Sequence, residues 1–226
     1  MDVRTFTVGP VQENCHLARL DGARKAVLID PGDEPERLLG AIDALGLTVE
    51  AILLTHTHFD HVGAVAPVAR STGAPVWCPE IEVPVLADIM SFVPWPGFGP
   101  FESYDADHTI KGGERLELAG LEIDVLFTPG HSPGHVSFAA REASAGGGGH
   151  GVGGGEVHLF SGDVLFQGSV GRTDLPGGDT PTLMRSIATL LETFPDETAV
   201  YPGHMGNTTL GAERLTNPFL TELARH

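Results

Sequence analysis

The chain has 226 residues, 41% hydrophobic and 7% aromatic, enough to bury a full core in one compact domain spanning 1–226. Thirty acidic against 13 basic residues give a formal net charge of −17, which repels polyanions and argues against a nucleic-acid partner. No apolar run is long enough to cross a bilayer, the opening MDVRTFTVGP lacks a signal-peptide segment, and Cys15 and Cys78 make no disulfide framework. A cytoplasmic protein with reduced thiols and no membrane partner is expected.

Short apolar runs that end in Gly, Pro, Asp or His set the order of elements. HLARL (16–20) and AVLID (26–30), joined by the turn-like DGARK, predict a hairpin. Leu38, Leu39, Ile42 and Leu45 then recur at helical spacing, with Gly46 as a stop. AILLT (51–55) reads as a buried strand, 61–73 as a helix, APVWCP (74–79) as a strand and 82–90 as a helix. Segment 91–107, rich in proline and aromatics, is a loop whose rings are expected to pack on the body or a partner subunit in preference to lining a pocket. Strands are predicted at 115–120, 121–130, 135–140, 157–163 and 198–204, and helices at 180–194 and 213–226. GGGGHGVGGG (146–155) favours no single backbone conformation and reads as a hairpin tip, with His150 idle. The β and α pattern runs twice, which predicts two mixed sheets with outer helices, packed as a four-layer αββα sandwich of the α/β class.

LLTHTHFDHVGA (53–64) crowds three histidines and an aspartate into six positions, a pattern that a metal site needs and a solvated surface does not. Three later predicted strands also end in ligand-type residues: His131, Asp163 and His204. With those ends on one rim, His56, His58, Asp60, His61, His131, Asp163 and His204 converge. Seven ligands exceed one tetrahedral ion and suit two divalent ions, provided that one carboxylate bridges; Asp163 is the candidate. Residues at i and i+2 of an extended segment point the same way, so His56 and His58 grip one ion, completed by His131. Asp60 and His61 grip the other, completed by His204. Imidazole and carboxylate donors without thiolate suit zinc, and the same set accepts iron or manganese. His135 is expected to be structural or to support a ligand.

THTHFDH, TPGHSPGH, SGDVLF and YPGH together resemble the metallo-β-lactamase superfamily, and GSVGRTDLPGGD and TNPFL are similar to its glyoxalase II-like branch. The resemblance runs from GPVQENC to TNPFL. It implies the αββα fold, a dinuclear site with the assignments above, and hydrolysis of a thioester such as S-lactoylglutathione. Arg172 stands where such enzymes place a basic glutathione contact, but Asp174 replaces their nearby tyrosine, and their longer basic C-terminal region is not expected in this chain. Arg172 is therefore either a substrate contact or an ion-pair partner of Asp174 or Asp179.

The expected chemistry starts from water between two cations, whose pKa falls from ~15.7 towards ~7; the hydroxide attacks the thioester carbonyl and a thiolate leaves without a dedicated acid. Asp60 is expected to orient that hydroxide while bound to metal. The partner is thus a small-molecule thioester. Two alternatives stand beside this reading. One is a mononuclear iron persulfide dioxygenase, which by resemblance uses His56, His131 and Asp163; the other is a non-catalytic metal-binding or interaction protein. A secreted β-lactamase is disfavoured by the N-terminus and by Asp163.

Overall fold

The computed structural model of the chain describes residues 1–93, 95–143 and 156–223; the glycine-rich tract 146–155 with its His150 lies outside the described residues. Strands β1 (Asp2–Val8), β2 (Glu13–Arg19) and β3 (Lys25–Ile29) precede helix α1 (Pro35–Ala44), β4 (Thr48–Leu53), α2 (Phe59–Val62), α3 (Val65–Thr72) and β5 (Val76–Pro79). Two short helices, α4 (Val83–Leu86) and α5 (Ile89–Phe92), and β6 (His108–Ile110) close this half. The later half contains β7 (Arg115–Leu118), β8 (Leu121–Phe127), β9 (Val136–Glu142), β10 (His158–Gly162) and a small hairpin, β11 (Leu165–Phe166) and β12 (Ser169–Val170). It continues with α6 (Thr180–Thr193), β13 (Ala199–Pro202), β14 (Thr208–Thr209), α7 (Leu210–Thr216) and α8 (Pro218–Leu223).

The strands form two six-stranded mixed sheets, in the orders β1-β2-β3-β4-β5-β6 and β14-β13-β10-β9-β8-β7. Alternation along the buried strands decides what each face touches. Leu17, Leu28 and Ile52 face Leu38, Val65 and Val68 of α1 and α3, whereas their neighbours Ala18, Val27, Ile29 and Leu53 pack with Ile123, Val125, Phe138 and Phe160 of the second sheet. The other face of the second sheet, with Ala139, Leu159 and Val200, is covered by Leu183, Ile187 and Leu190 of α6. Three apolar interfaces, helix to sheet, sheet to sheet and sheet to helix, make the predicted four layers. Helix α6 begins where the sequence places it: the Asp179 carboxylate accepts from the Thr182 amide at 2.9 Å, and Pro181 occupies the first turn.

Two predicted helices are broken. The one over 82–90 is the pair α4 and α5, interrupted at Asp88, whose φ of −150° and ψ of 58° are not helical. The one over 213–226 stops at Asn217, whose ψ of 117° is the extended conformation that a following proline enforces. The aromatic segment 91–107 divides its work. Phe98, Phe101 and Tyr104 pack against the first core, as expected, but Phe92 and Trp95 remain 55% and 39% exposed and line a cavity.

Candidate metal centre

Strands β8 and β10 are each antiparallel to β9, and β13 is parallel to β10, so the C-terminal ends of β8, β10 and β13 reach one edge of their sheet. β4 ends at the same rim, where the Val136 amide donates to the Thr55 carbonyl at 2.9 Å. Asn14 fixes the turn that carries His204: its amide donates to the Gly203 carbonyl at 2.7 Å and its side chain to the Pro202 and Met205 carbonyls at 3.1 and 2.8 Å.

All seven side chains singled out in the sequence meet at this rim. His56 Nε2 lies 3.1 Å from His58 Nδ1 and 3.2 Å from His131 Nε2, and the last two atoms are 2.8 Å apart. Asp60, His61 and His204 form a second group whose donor atoms lie within 4.8 Å of one another. Asp163 stands between the groups, its Oδ1 3.3 Å from His61 Nε2 and its Oδ2 3.5 Å from both His131 Nε2 and His204 Nε2. Gly203 makes this approach possible, since a Cβ there would lie 2.3 Å from Asp163 Oδ1.

The surrounding hydrogen bonds decide which ring nitrogen faces inward. Thr55 Oγ1 donates to Asp30 Oδ2 at 2.6 Å, so it accepts from His56 Nδ1 at 3.0 Å. Asp30 Oδ2 also accepts from His61 Nδ1 at 3.0 Å. The Arg172 carbonyl accepts from His131 Nδ1 at 2.8 Å, and the Gln12 carbonyl accepts from His204 Nδ1 at 3.2 Å. Each of these four rings therefore donates outward from Nδ1 and turns its Nε2 into the site, the arrangement found behind metal-ligating histidines. His135 supports the carboxylate instead: its Nε2 accepts from the Asp163 amide at 3.0 Å and its Nδ1 donates to Thr128 Oγ1 at 3.0 Å.

These residues fit metal ions. Three inward lone pairs repel one another unless a cation lies between them, and a tetrahedral ion with imidazole donors would hold its nitrogens about 3.3 Å apart, close to the observed spacings. His61 Nε2 and Asp163 Oδ1 are buried without a hydrogen-bond partner, a costly state that coordination would relieve. Burial would lower the His61 pKa, yet the Asp163, Asp30 and Asp60 carboxylates hold it well above its ordinary value; His204 is raised in the same way, chiefly by Asp163. Burial likewise opposes ionisation of Asp163, but His61 and His204 keep its carboxyl well below the usual range. This group thus demands positive charge. In the first group burial and neighbouring imidazoles push His56 well below its ordinary pKa and His58 down to about 4, so those rings are neutral, the form that ligates.

A sequence profile described as Metallo-beta-lactamase superfamily matches residues 8–145 and 142–204. The chain belongs to the metallo-β-lactamase superfamily. Two curated relatives of this superfamily member span nearly the whole of both chains. One is "Probable metallo-hydrolase YqgX" of Bacillus subtilis, 39% identical over 97% of this chain and 98% of its own. The other is "Hydroxyacylglutathione hydrolase GloC" of Haemophilus influenzae, 36% identical over the same shares. Among solved structures, a B3 metallo-beta-lactamase, BLEG-1, has a TM-score of 0.85 and 38% identity, covering 97% of this chain and 100% of that one. TTHA1623, solved in a di-iron-bound form, has a TM-score of 0.78 and 44% identity over 96% and 100%. ETHE1 from Myxococcus xanthus has a TM-score of 0.74 and 27% identity over 98% and 85%. The two curated relatives place this superfamily member among the metallo-hydrolases.

The candidate centre of this superfamily member opens into a cavity of about 730 Å³ bordered by His58, Asp60, His131, Asp163 and His204. Arg172 also borders it, with Nε and Nη2 donating to Asp174 at 2.6 and 2.7 Å and its guanidinium 5.5 Å from the centre of the Trp95 ring. Of the two ion-pair partners considered in the sequence, the structure selects Asp174; Asp179 caps α6 instead. Two supporting carboxylates escaped the sequence reading. Asp30 accepts from the Thr55 amide at 2.8 Å besides holding His61. Glu82 accepts from Thr57 Oγ1, Ser132 Oγ and the Gly134 amide at 2.7 to 2.8 Å, tying the His58 loop to the His131 loop. Asp30 ends an apolar strand just as Asp163 does, so the rule that found one could have found the other.

Proposed function

We propose that this metallo-hydrolase is a thioester hydrolase acting on acyl-thiols, with two divalent ions held by His56, His58 and His131 and by Asp60, His61 and His204, and with Asp163 shared between them. The observation that carries the reading is the position of Asp163, whose two oxygens face both groups at 3.3 to 3.5 Å. Ions held there supply Lewis-acid polarisation of a carbonyl and a nucleophile from water at neutral pH. The chain's own residues do the rest. Asp30 and the Arg172 carbonyl orient His61 and His131, His135 aims Asp163, and the adjoining cavity admits an acyl-thiol. No further acid is needed, because a thiolate leaves without protonation. The hydroxyacylglutathione hydrolase relative supports the substrate class, and zinc, iron and manganese all suit these donors.

Metal content and hydrolysis of S-lactoylglutathione and simpler thioesters should be measured on one preparation, with Asp163→Ala beside it. About two ions per chain and turnover are expected, and the variant should lose both metal and at least about 100-fold in rate, more than loss of a supporting partner typically costs. Hydrolysis unchanged in the variant would refute the assignment. One iron per chain with oxygen uptake on a persulfide, or hydrolysis of a cephalosporin in place of thioesters, would replace this reading with a dioxygenase or a β-lactamase.

A further inference from the structure

The cavity beyond the candidate centre is walled by apolar groups. Ile81, Val85, Ile89, Phe92 and Trp95 line it from the α4–α5 region, and Leu175 lines it from the later half. Ile81, Phe92 and Trp95 are large side chains 56%, 55% and 39% exposed, and all three line the cavity. Scattered exposed apolar residues need no explanation, but a cluster lining a concave site of this size marks a ligand surface. The charges point the same way. Among the described residues lining the cavity, Arg172 is the single lysine or arginine, and its guanidinium is already engaged by Asp174 and lies over the Trp95 ring. A glutathione carrier brings two carboxylates and one ammonium, and outside the centre it would find no free cation here, on a chain of net charge −17.

From this wall and this charge balance we infer that the cavity takes an apolar acyl chain on an uncharged thiol carrier, in place of a short hydroxyacyl group on glutathione. The inference rests on the thioester reading for turnover but not for binding. The reaction is hydrolysis: water adds its oxygen to the acyl carbon, the C–S bond breaks with its electron pair on sulfur, one of the water's protons ends on the sulfur and the other is released to solvent, and a carboxylate and a thiol result. A methylene that becomes buried against such a wall raises specificity by a few-fold.

The test compares acetyl, butanoyl and hexanoyl thioesters of N-acetylcysteamine and of glutathione with S-lactoylglutathione on the metal-loaded protein. Expected is a rise in kcat/KM of at least tenfold from acetyl to hexanoyl on either carrier, with hexanoyl-N-acetylcysteamine the better substrate than S-lactoylglutathione. Phe92→Ser and Ile81→Ser, both at exposed positions, should shrink the hexanoyl-to-acetyl ratio by about fivefold. A flat chain-length profile, or S-lactoylglutathione preferred, overturns the inference and leaves the hydrolase reading standing. Should no thioester turn over, that reading fails by itself, and calorimetry with S-hexyl-N-acetylcysteamine and S-methylglutathione still decides the pocket. Tighter binding of the hexyl compound with a negative heat-capacity change supports an apolar site, and equal or weaker binding refutes it.

Discussion

Asp30 is the residue on which the candidate centre leans most without contributing an inward lone pair. Its φ of 50° places it in the left-handed region, where Asn and Asp are tolerated and most other side chains are strained. One of its oxygens accepts from both Thr55 Oγ1 and His61 Nδ1, which makes it the common anchor of His56, through Thr55, and of His61. Asp30→Asn keeps size and backbone preference while removing the charge and one acceptor. A loss of about 10–100-fold in metal affinity or activity is expected, as for other partners behind metal-binding histidines. Competition with a chelating dye measures it, and an unchanged affinity would show that the carboxylate is only structural. The ligand-type residues themselves were legible because H-x-H-x-D-H is compact and the other three end apolar strands. What stands behind them was not: Asp30, Glu82 and Asn14 act through partners 25 to 191 positions away, and no local spacing carries such a distance.

At the scale of elements, most long alternating or helical runs are readable and very short ones are not; the exception is the seven-residue strand β1, an edge strand with only Val8 buried, which the sequence reading does not place. The strands β6, β11, β12 and β14 have two or three residues, less than two periods of alternation. The β11–β12 hairpin nevertheless matters, since Phe166, Ser169 and Val170 line the cavity. It is held from outside by Asn217, in the TNPFL stretch, which is fully buried where α7 gives way to α8. Its side-chain amide donates to the Ser169 carbonyl at 2.9 Å, the Phe166 carbonyl at 3.4 Å and Glu213 Oε2 at 2.8 Å. Glu213 in turn accepts from the Gly168 amide at the hairpin tip at 2.8 Å. The motif is therefore a clasp on the hairpin. Asn217→Ala would leave buried acceptors unpaired, at a cost of about 1–3 kcal/mol each at the better-formed bonds. Urea unfolding should show a loss of about 2–4 kcal/mol with an unchanged m-value, and a variant as stable as the parent would remove the clasp from the account.

For the whole molecule, the decisive fact is which half supplies each ligand-type residue. His56, His58, Asp60 and His61 follow β4 of the first sheet, whereas His131, Asp163 and His204 follow β8, β10 and β13 of the second. Each of the two groups draws on both halves, so bound ions would tie the two sheets together at the rim. The core between the sheets does not depend on them, because Ile29, Leu53, Phe138 and Phe160 are packed there with exposures of 0 to 1%. Removal of metal should therefore leave a folded chain of lower stability, not an unfolded one. An ion present at 100 times its dissociation constant adds about 2.7 kcal/mol per site, which in a chain of this length corresponds to roughly 5–10 °C in the unfolding midpoint. Scanning calorimetry before and after exhaustive chelation should show a drop of at least that size, reversed by adding back zinc, iron or manganese. Two sites filled independently should give twice the shift of one, and Asp163→Ala, which removes the residue facing both groups, should abolish the response. A midpoint indifferent to chelation, in a sample shown to have held metal, would mean that the ions do not bridge the halves.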